Sequence, residues 1–188
     1  MTPGFDHSYA RLGRTFSSVQ QLDPVSAPQL LLWNAPLAAA LEWPSDPLSD
    51  PALLSALAGN EILQGAQPIA TAYAGHQFGQ YNPQLGDGRA TLLGEWVTSA
   101  GDRFDIQLKG AGPTPYSRGG DGRSPVGPVI REYLVSEAMS ALGVPTTRAL
   151  AAISSGDPVY RNRLEPGAVL TRVASSHLRV GTVQYFAM

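Results

Sequence analysis

The sequence predicts an α+β fold, a small, mostly antiparallel sheet with a packed helix and an N-terminal extension, and three observations predict it. Two strand-like runs, Arg89–Val97 and Arg103–Leu108, flank the short connection Thr98-Ser99-Ala100-Gly101-Asp102, which reads as a hairpin. In the second run Phe104, Ile106 and Leu108 alternate with polar residues, the period of a half-buried strand. Beyond it, Pro128–Leu142 reads as a helix with Gly127 at its N-cap, Pro128 as its first residue, Gly143 just past its end and Pro145 as the stop. A helical wheel gathers Ile130, Tyr133, Leu134, Ala138, Ala141 and Leu142 on its apolar face.

The remaining elements follow in chain order. Residues 1–27 read as irregular, with Phe5, Tyr9 and Leu12 as apolar anchors. Gln29–Trp33 is a short strand, followed by a helix over Pro36–Glu42. The three prolines and the Ser/Asp content of residues 43–51 make a loop. Asp50 caps and Pro51 opens a further helix, Ala52–Ala58. Residues 59–88 show no period and are expected to be irregular, as are the loops at 110–127. Arg148–Ile153 and Ala168–Ala174 are two more strands. No internal repeat is present.

Composition narrows the function classes. The chain has 188 residues, which at ~150 residues per domain allows one domain or a domain with an extension. It has no cysteine, which excludes a disulfide scaffold and thiolate chemistry. A net charge of −2 argues against a nucleic-acid binder. The start carries no apolar signal region and no run is long enough to span a membrane, so the expected location is cytoplasmic. Residues 1–80 hold two Arg and six acids, whereas 81–188 hold eleven basic residues and nine acids. Anion chemistry therefore belongs to the second half. Of the basic residues only Lys109 is lysine, as expected where a compact ammonium on a flexible stem is needed.

Ten of the 20 glycines fall between residues 86 and 127, clustered as Gly86-Asp87-Gly88, Gly110-Ala111-Gly112 and Gly119-Gly120-Asp121-Gly122. Such turns let backbone amides approach an anion, and they also serve as ordinary tight turns. The P-loop pattern is absent, and Thr91 stands where a dinucleotide fingerprint needs its third glycine. His7, His76 and His177 lack metal-ligand spacing, and there is no G-x-S-x-G elbow. The order of elements says more: a Gly turn, a strand, a turn, a strand ending in Lys109, then a helix carrying Glu132 and Glu137. This is the logic of a protein-kinase N-lobe, in which a strand lysine contacts phosphates and a helix glutamate holds it, although V-A-I-K, H-R-D and D-F-G are missing. The wheel puts Glu137 inside the apolar arc and Glu132 at its edge, and either acid could pair with Lys109. Arg172 and Arg179 could converge on one polyphosphate, or could be ordinary surface residues.

Four stretches carry a resemblance: YAGHQFGQYNPQLGDGRATLLGE (73–95), QLKGAGPTPYSRGGDGR (107–123), IREYLVSEAMSALGVPTTRAL (130–150) and GAVLTRVASSHLRVG (167–181). Together they resemble the SelO (YdiU, selenoprotein O) family, over roughly residues 5–186. The resemblance implies a kinase-like fold that binds ATP in a flipped orientation, with Mg²⁺ or Mn²⁺, and transfers AMP to Ser, Thr or Tyr hydroxyls of protein substrates. It implies that Gly86, Gly88 and Arg89 line the nucleotide, that Lys109 meets its phosphates, and that Asp121 and Gly122 hold it from a second Gly loop. Arg172 and Arg179 would meet the outer phosphates, and Glu132, preferred on this ground over Glu137, would hold Lys109. Residues 1–80 would then be a family-specific extension and 81–188 the nucleotide-binding N-lobe. SPVGPVIREY (124–133) departs locally in being richer in Pro and Gly. Family members run to several hundred residues, and their catalytic Asp and metal-binding Asn/Asp pair lie beyond the part matched here. The expectation is an N-terminal part, with no catalytic base and no metal ligand of its own, inactive alone. The alternative is a non-catalytic nucleotide- or protein-binding module. Membrane and nucleic-acid partners are not expected.

Overall fold

The computed structural model describes residues 2–188. Among them, ten strands join one sheet in which every pairing is antiparallel. In chain order they are β1 (Gly4–Asp6), β2 (Ser17–Val19), β3 (Gln29–Trp33), β4 (Ile69–Gln77), β5 (Gln80–Gly86), β6 (Ala90–Val97), β7 (Arg103–Lys109), β8 (Ser124–Pro125), β9 (Arg148–Tyr160) and β10 (Leu164–Ala174). The helices are α1 (Ala35–Ala40), α2 (Pro51–Ala58), α3 (Val126–Ala141) and α4 (Val180–Phe186). The sheet runs β2-β4-β6-β7-β10-β9-β3, with β1 on β6, β5 on β4 and β8 on β10. The fold is thus α+β, as expected. The stretch 1–80 contributes β1 to β4, which are built into the same sheet as the later strands.

Alternation on β7 sorts the two faces. Ile106 and Leu108 join Leu93, Leu150, Val169 and Val173 under Leu37, Ala38 and Leu41, which α1 and its C-cap supply. Alongside, Leu53, Leu57 and Ala58 of α2 pack on Ala151 and Ile153. The side chain of Asp50 accepts the amides of Ala52 and Leu53, so α2 starts where the sequence predicts. On the opposite face Val129 and Tyr133 of α3 lie over Ala149, Ala152, Ala168 and Leu170. Directly opposed residues share a face of a sheet. Lys109 faces Leu170 and Ala90 across the ladder, and Gln107 faces Arg172, so these side chains emerge beside α3 on the face it covers only in part.

The structure corrects several expectations. Residues 59–88 contain β4 and β5. β4 buries Ala70, Ala72 and Ala74, which alternate with Thr71 and Tyr73 but are too small to stand out as an apolar face, and α4 packs so closely on it that a Cβ at Gly181 would overlap the carbonyl of Ala74. Residues 1–27 contain β1, β2 and a single 3-10 turn at Ala10–Leu12. β8 and the start of α3 occupy the end of the 110–127 stretch. Gly127 lies inside α3, whose N-cap is Pro125, because Ser124 and Pro125 pair with β10 and hand the chain directly to the helix. The apolar face of α3 is also displaced. Val129, Tyr133 and Ser136 are buried, whereas Leu134 and Leu142 are 57% and 77% exposed.

Candidate functional site

The open part of the sheet face forms a cavity of about 760 Å³ between the Gly86–Gly88 turn, the 115–118 loop and the ends of β7 and β10. Six cationic side chains line it: Arg14, Arg89, Lys109, Arg118, Arg172 and Arg179. Its one lining carboxylate is Asp87. In a chain of net charge −2, a concave site with this balance focuses positive potential and favours a multiply charged anion.

The Gly turn is held by close approach. A Cβ at Gly86 would overlap the ring of Tyr116, and one at Gly88 would stand 2.8 Å from the Tyr116 carbonyl oxygen. The facing loop is tied down by its hydroxyls. Thr114 Oγ1 donates to the Asp87 carbonyl at 2.6 Å and Ser117 Oγ to the Gly88 carbonyl at 2.5 Å. Asp87 is 3% exposed, and its Oδ2 accepts from Thr71 Oγ1 at 2.6 Å. Burial pushes its carboxyl above the usual range, against the pull of Thr71 and Arg179. Burial, together with Asp87, likewise pushes the Tyr73 hydroxyl up to about 12. The Arg179 guanidinium lies 5.0 Å over the Tyr73 ring and 4.0 Å from Asp87 Oδ1. Arg179 also caps α4, its amide donating to Thr182 Oγ1 at 3.1 Å.

Glu132 of α3 joins the two central cations. One carboxylate oxygen pairs with Lys109 Nζ and the other lies 3.0 Å from Arg172 Nε. Burial draws the Arg172 guanidinium below its ordinary value, which the Glu132 charge partly offsets. Glu137 has a different partner set. It accepts from Arg148 at 2.9 and 2.7 Å, from the Ala149 amide at 2.9 Å and from Asn34 Nδ2 at 2.7 Å, fastening α3 to β9 and to the start of α1. The helix acid beside Lys109 is therefore Glu132.

Gly86, Gly88, Arg89, Lys109, Arg172 and Arg179 all line the cavity. Glu132 lines an adjoining hollow, of about 490 Å³, that shares Arg89 and Lys109. Asp121 and Gly122 do not line the cavity. Asp121 is bound by Arg161 at 2.8 and 2.9 Å, and a Cβ at Gly122, at φ +64°, would overlap the Gly112 carbonyl. The sequence reading missed Arg14, Arg118, Tyr73 and Tyr116 as lining residues; Arg118 lies within the quoted SRGGDGR stretch and carried a signal, while Arg14 lies in a stretch without periodicity. Among the described residues, no group of three or more His, Asp or Glu side chains could hold a metal ion, and no helix is long and apolar enough to cross a membrane.

A strand lysine tied to a helix carboxylate beneath a glycine turn, in a cation-lined cavity, suits an anionic ligand. The protein-family model described as "Protein adenylyltransferase SelO" matches residues 1–188, and the chain belongs to that family. It is 62% identical over 182 residues to "Protein nucleotidyltransferase YdiU" of Alkalilimnicola ehrlichii, with 97% of this chain and 37% of the relative covered. It is 60% identical over 183 residues to the protein of the same description from Maridesulfovibrio salexigens, covering 97% and 37%. The relative in Ruegeria pomeroyi is 62% identical over 183 residues, covering 97% and 38%. The chain thus spans somewhat over a third of the length of these relatives.

Proposed function

We propose that this chain is the ATP-binding, kinase-N-lobe-like part of a protein adenylyltransferase, which moves AMP from ATP to a Ser, Thr or Tyr hydroxyl of a protein. The observation that carries the reading is the Lys109–Glu132–Arg172 cluster opening on a cavity with three further arginines and the Arg89 side chain. Such a cluster suits a triphosphate better than a single phosphate, because several fixed cations can each meet a different oxygen.

In the proposed reaction the hydroxyl oxygen attacks the α-phosphorus, a new P–O bond forms, and the bond to the β-phosphate oxygen breaks. Pyrophosphate leaves, and the hydroxyl proton passes to a base that the resemblance puts outside this chain. Lys109, Arg89, Arg172 and Arg179 would hold the β- and γ-phosphates, so the charge that grows on the leaving pyrophosphate meets preorganised cations. That assignment requires the flipped nucleotide, since in an ordinary kinase the same groups would promote transfer of the γ-phosphoryl. Glu132 would keep Lys109 and Arg172 at a fixed separation in both ground and transition states. A divalent cation would accompany ATP, and the described residues offer no carboxylate set for it.

Two measurements test the reading. Calorimetry on the chain with ATP, ADP and AMP should give affinities that fall with each phosphate removed; equal affinities for ATP and AMP would contradict a polyphosphate site. A full-length relative supplied with ATP labelled at the α- or the γ-phosphate should label a protein substrate from the α position, and label from γ alone would mean a kinase.

A further inference from the structure

The polar face of β7 carries Asp105, Gln107 and Lys109 in alternation. Asp105 accepts the His177 amide at 2.7 Å and so ties down the turn that leads to Arg179. Lys109 meets Glu132. Gln107 lies between them and is 1% exposed, among the largest fully buried side chains of the molecule. An amide buried to that degree costs free energy unless it is hydrogen-bonded, and an apolar side chain of equal volume would avoid the cost. Its Oε1 accepts from Arg172 Nη1 at 3.1 Å. Arg172 stands directly opposite Gln107 in the β7–β10 register, so the two side chains leave the sheet side by side.

Arg172 is thereby held by the charge of Glu132, whose carboxylate lies 3.0 Å from Nε without hydrogen-bond geometry, and by a hydrogen bond from Nη1 to the Gln107 amide oxygen. A guanidinium has five N–H donors in a fixed plane, so the directional bond to Gln107, with the Glu132 charge beside Nε, sets the plane and leaves donors for a third partner. A carboxylate in place of the amide would orient Arg172 equally well but would cancel the charge that a phosphate needs. Gln107 is an acceptor that does not neutralise.

We propose that Gln107 is a positioning residue, which with Glu132 fixes the plane of the Arg172 guanidinium so that its remaining donors face a polyphosphate in the cavity. This rests on the polyphosphate reading of the site. The test uses Gln107→Met, which keeps the length and volume of the side chain and removes the acceptor, together with Arg172→Gln and the double variant. Each is titrated with tripolyphosphate and with ATP, thermal melting serves as the check on folding, and the Arg172 Nε–Hε resonance is recorded without ligand. The expected result is an affinity loss of about 10- to 100-fold for Gln107→Met, the range of one hydrogen bond to a charged group. Arg172→Gln should lose at least as much and the double variant no more than Arg172→Gln, with the Arg172 resonance averaged or broadened in Gln107→Met. An unchanged affinity in a folded Gln107→Met protein overturns the proposal, as does a Gln107→Met loss that persists undiminished in the Arg172→Gln background. Failure of the wild-type chain to bind either ligand would instead overturn the polyphosphate reading and this role with it. An unchanged Arg172 resonance would overturn the role of Gln107 alone.

Discussion

At the scale of residues, two acids one and a half helical turns apart do different work. Glu132 serves the cavity cations, whereas Glu137 is a fastener between α3, β9 and the Asn34 cap of α1. Burial pushes the Glu137 carboxyl up, but Arg148, the Ala149 amide and Asn34 together outweigh it and leave it below its ordinary value of 4.5. The ionised form is therefore the one the fold binds, so its stabilisation is complete above that ordinary value and fades as pH falls through the lowered one. Glu137→Gln should cost about 1–3 kcal/mol at pH 7, the range for bonds to a charged acceptor. In urea denaturation the deficit should shrink on acidification below the ordinary carboxylate range; a deficit independent of pH would mean that the charge contributes nothing. The wheel could rank these acids by burial but not by partner, since Arg148 and Asn34 are brought to Glu137 by tertiary structure. Lys109, by contrast, was legible as the single lysine at the end of an alternating strand.

Elements are legible in the sequence where local chemistry decides and obscure where neighbours do. β3, α2, β6 and β7 follow from alternation, from the Asp50-Pro51 start and from a hairpin turn, all properties of adjacent residues. β4 and β5 are hard to read because the alternating residues of β4 are alanines, whose small side chains contrast weakly with Thr71 and Tyr73, and because Gly75 and Pro83 interrupt the run. α3 was found, but its buried stripe is turned toward Val129, Tyr133 and Ser136, since the entry from β8 sets the rotation of the helix. Leu134 and Leu142 accordingly stand on its exposed side. Leu134→Ala and Leu142→Ala should each change stability by no more than about 0.5 kcal/mol, as for surface positions, against the 2–5 kcal/mol expected of a buried leucine. Chemical denaturation separates these outcomes, and a large loss would restore the rotation that the wheel predicts.

Over the whole molecule, the sheet is laid down by both halves of the chain. β1 and β4 pair with β6, β2 extends the sheet from β4, β3 closes the far edge on β9, and α1 and α2 cover the core face. Residues 81–188 made alone would uncover Ile106, Leu108, Leu150 and Val169 and leave the edges of β6 and β9 unpaired. They should give no cooperative melting transition, and a sharp one would show that the second half folds by itself. Such long-range pairing leaves little trace in local sequence, whereas the cationic character of the second half is plain in its composition. The basic residues do converge, because β7 and β10 are neighbours and Lys109 and Arg172 project from the same side of the sheet. On the proposed reading, this convergence is a polyphosphate site organised around Lys109. Its most direct test is titration of the chain and of Lys109→Ala with ATP in the presence of Mg²⁺, with folding verified for both. Saturable binding is expected, weakened by about 10-fold or more in Lys109→Ala, the loss of one charge-assisted contact. Equal binding by the two proteins, or none by the folded wild-type chain, would contradict it.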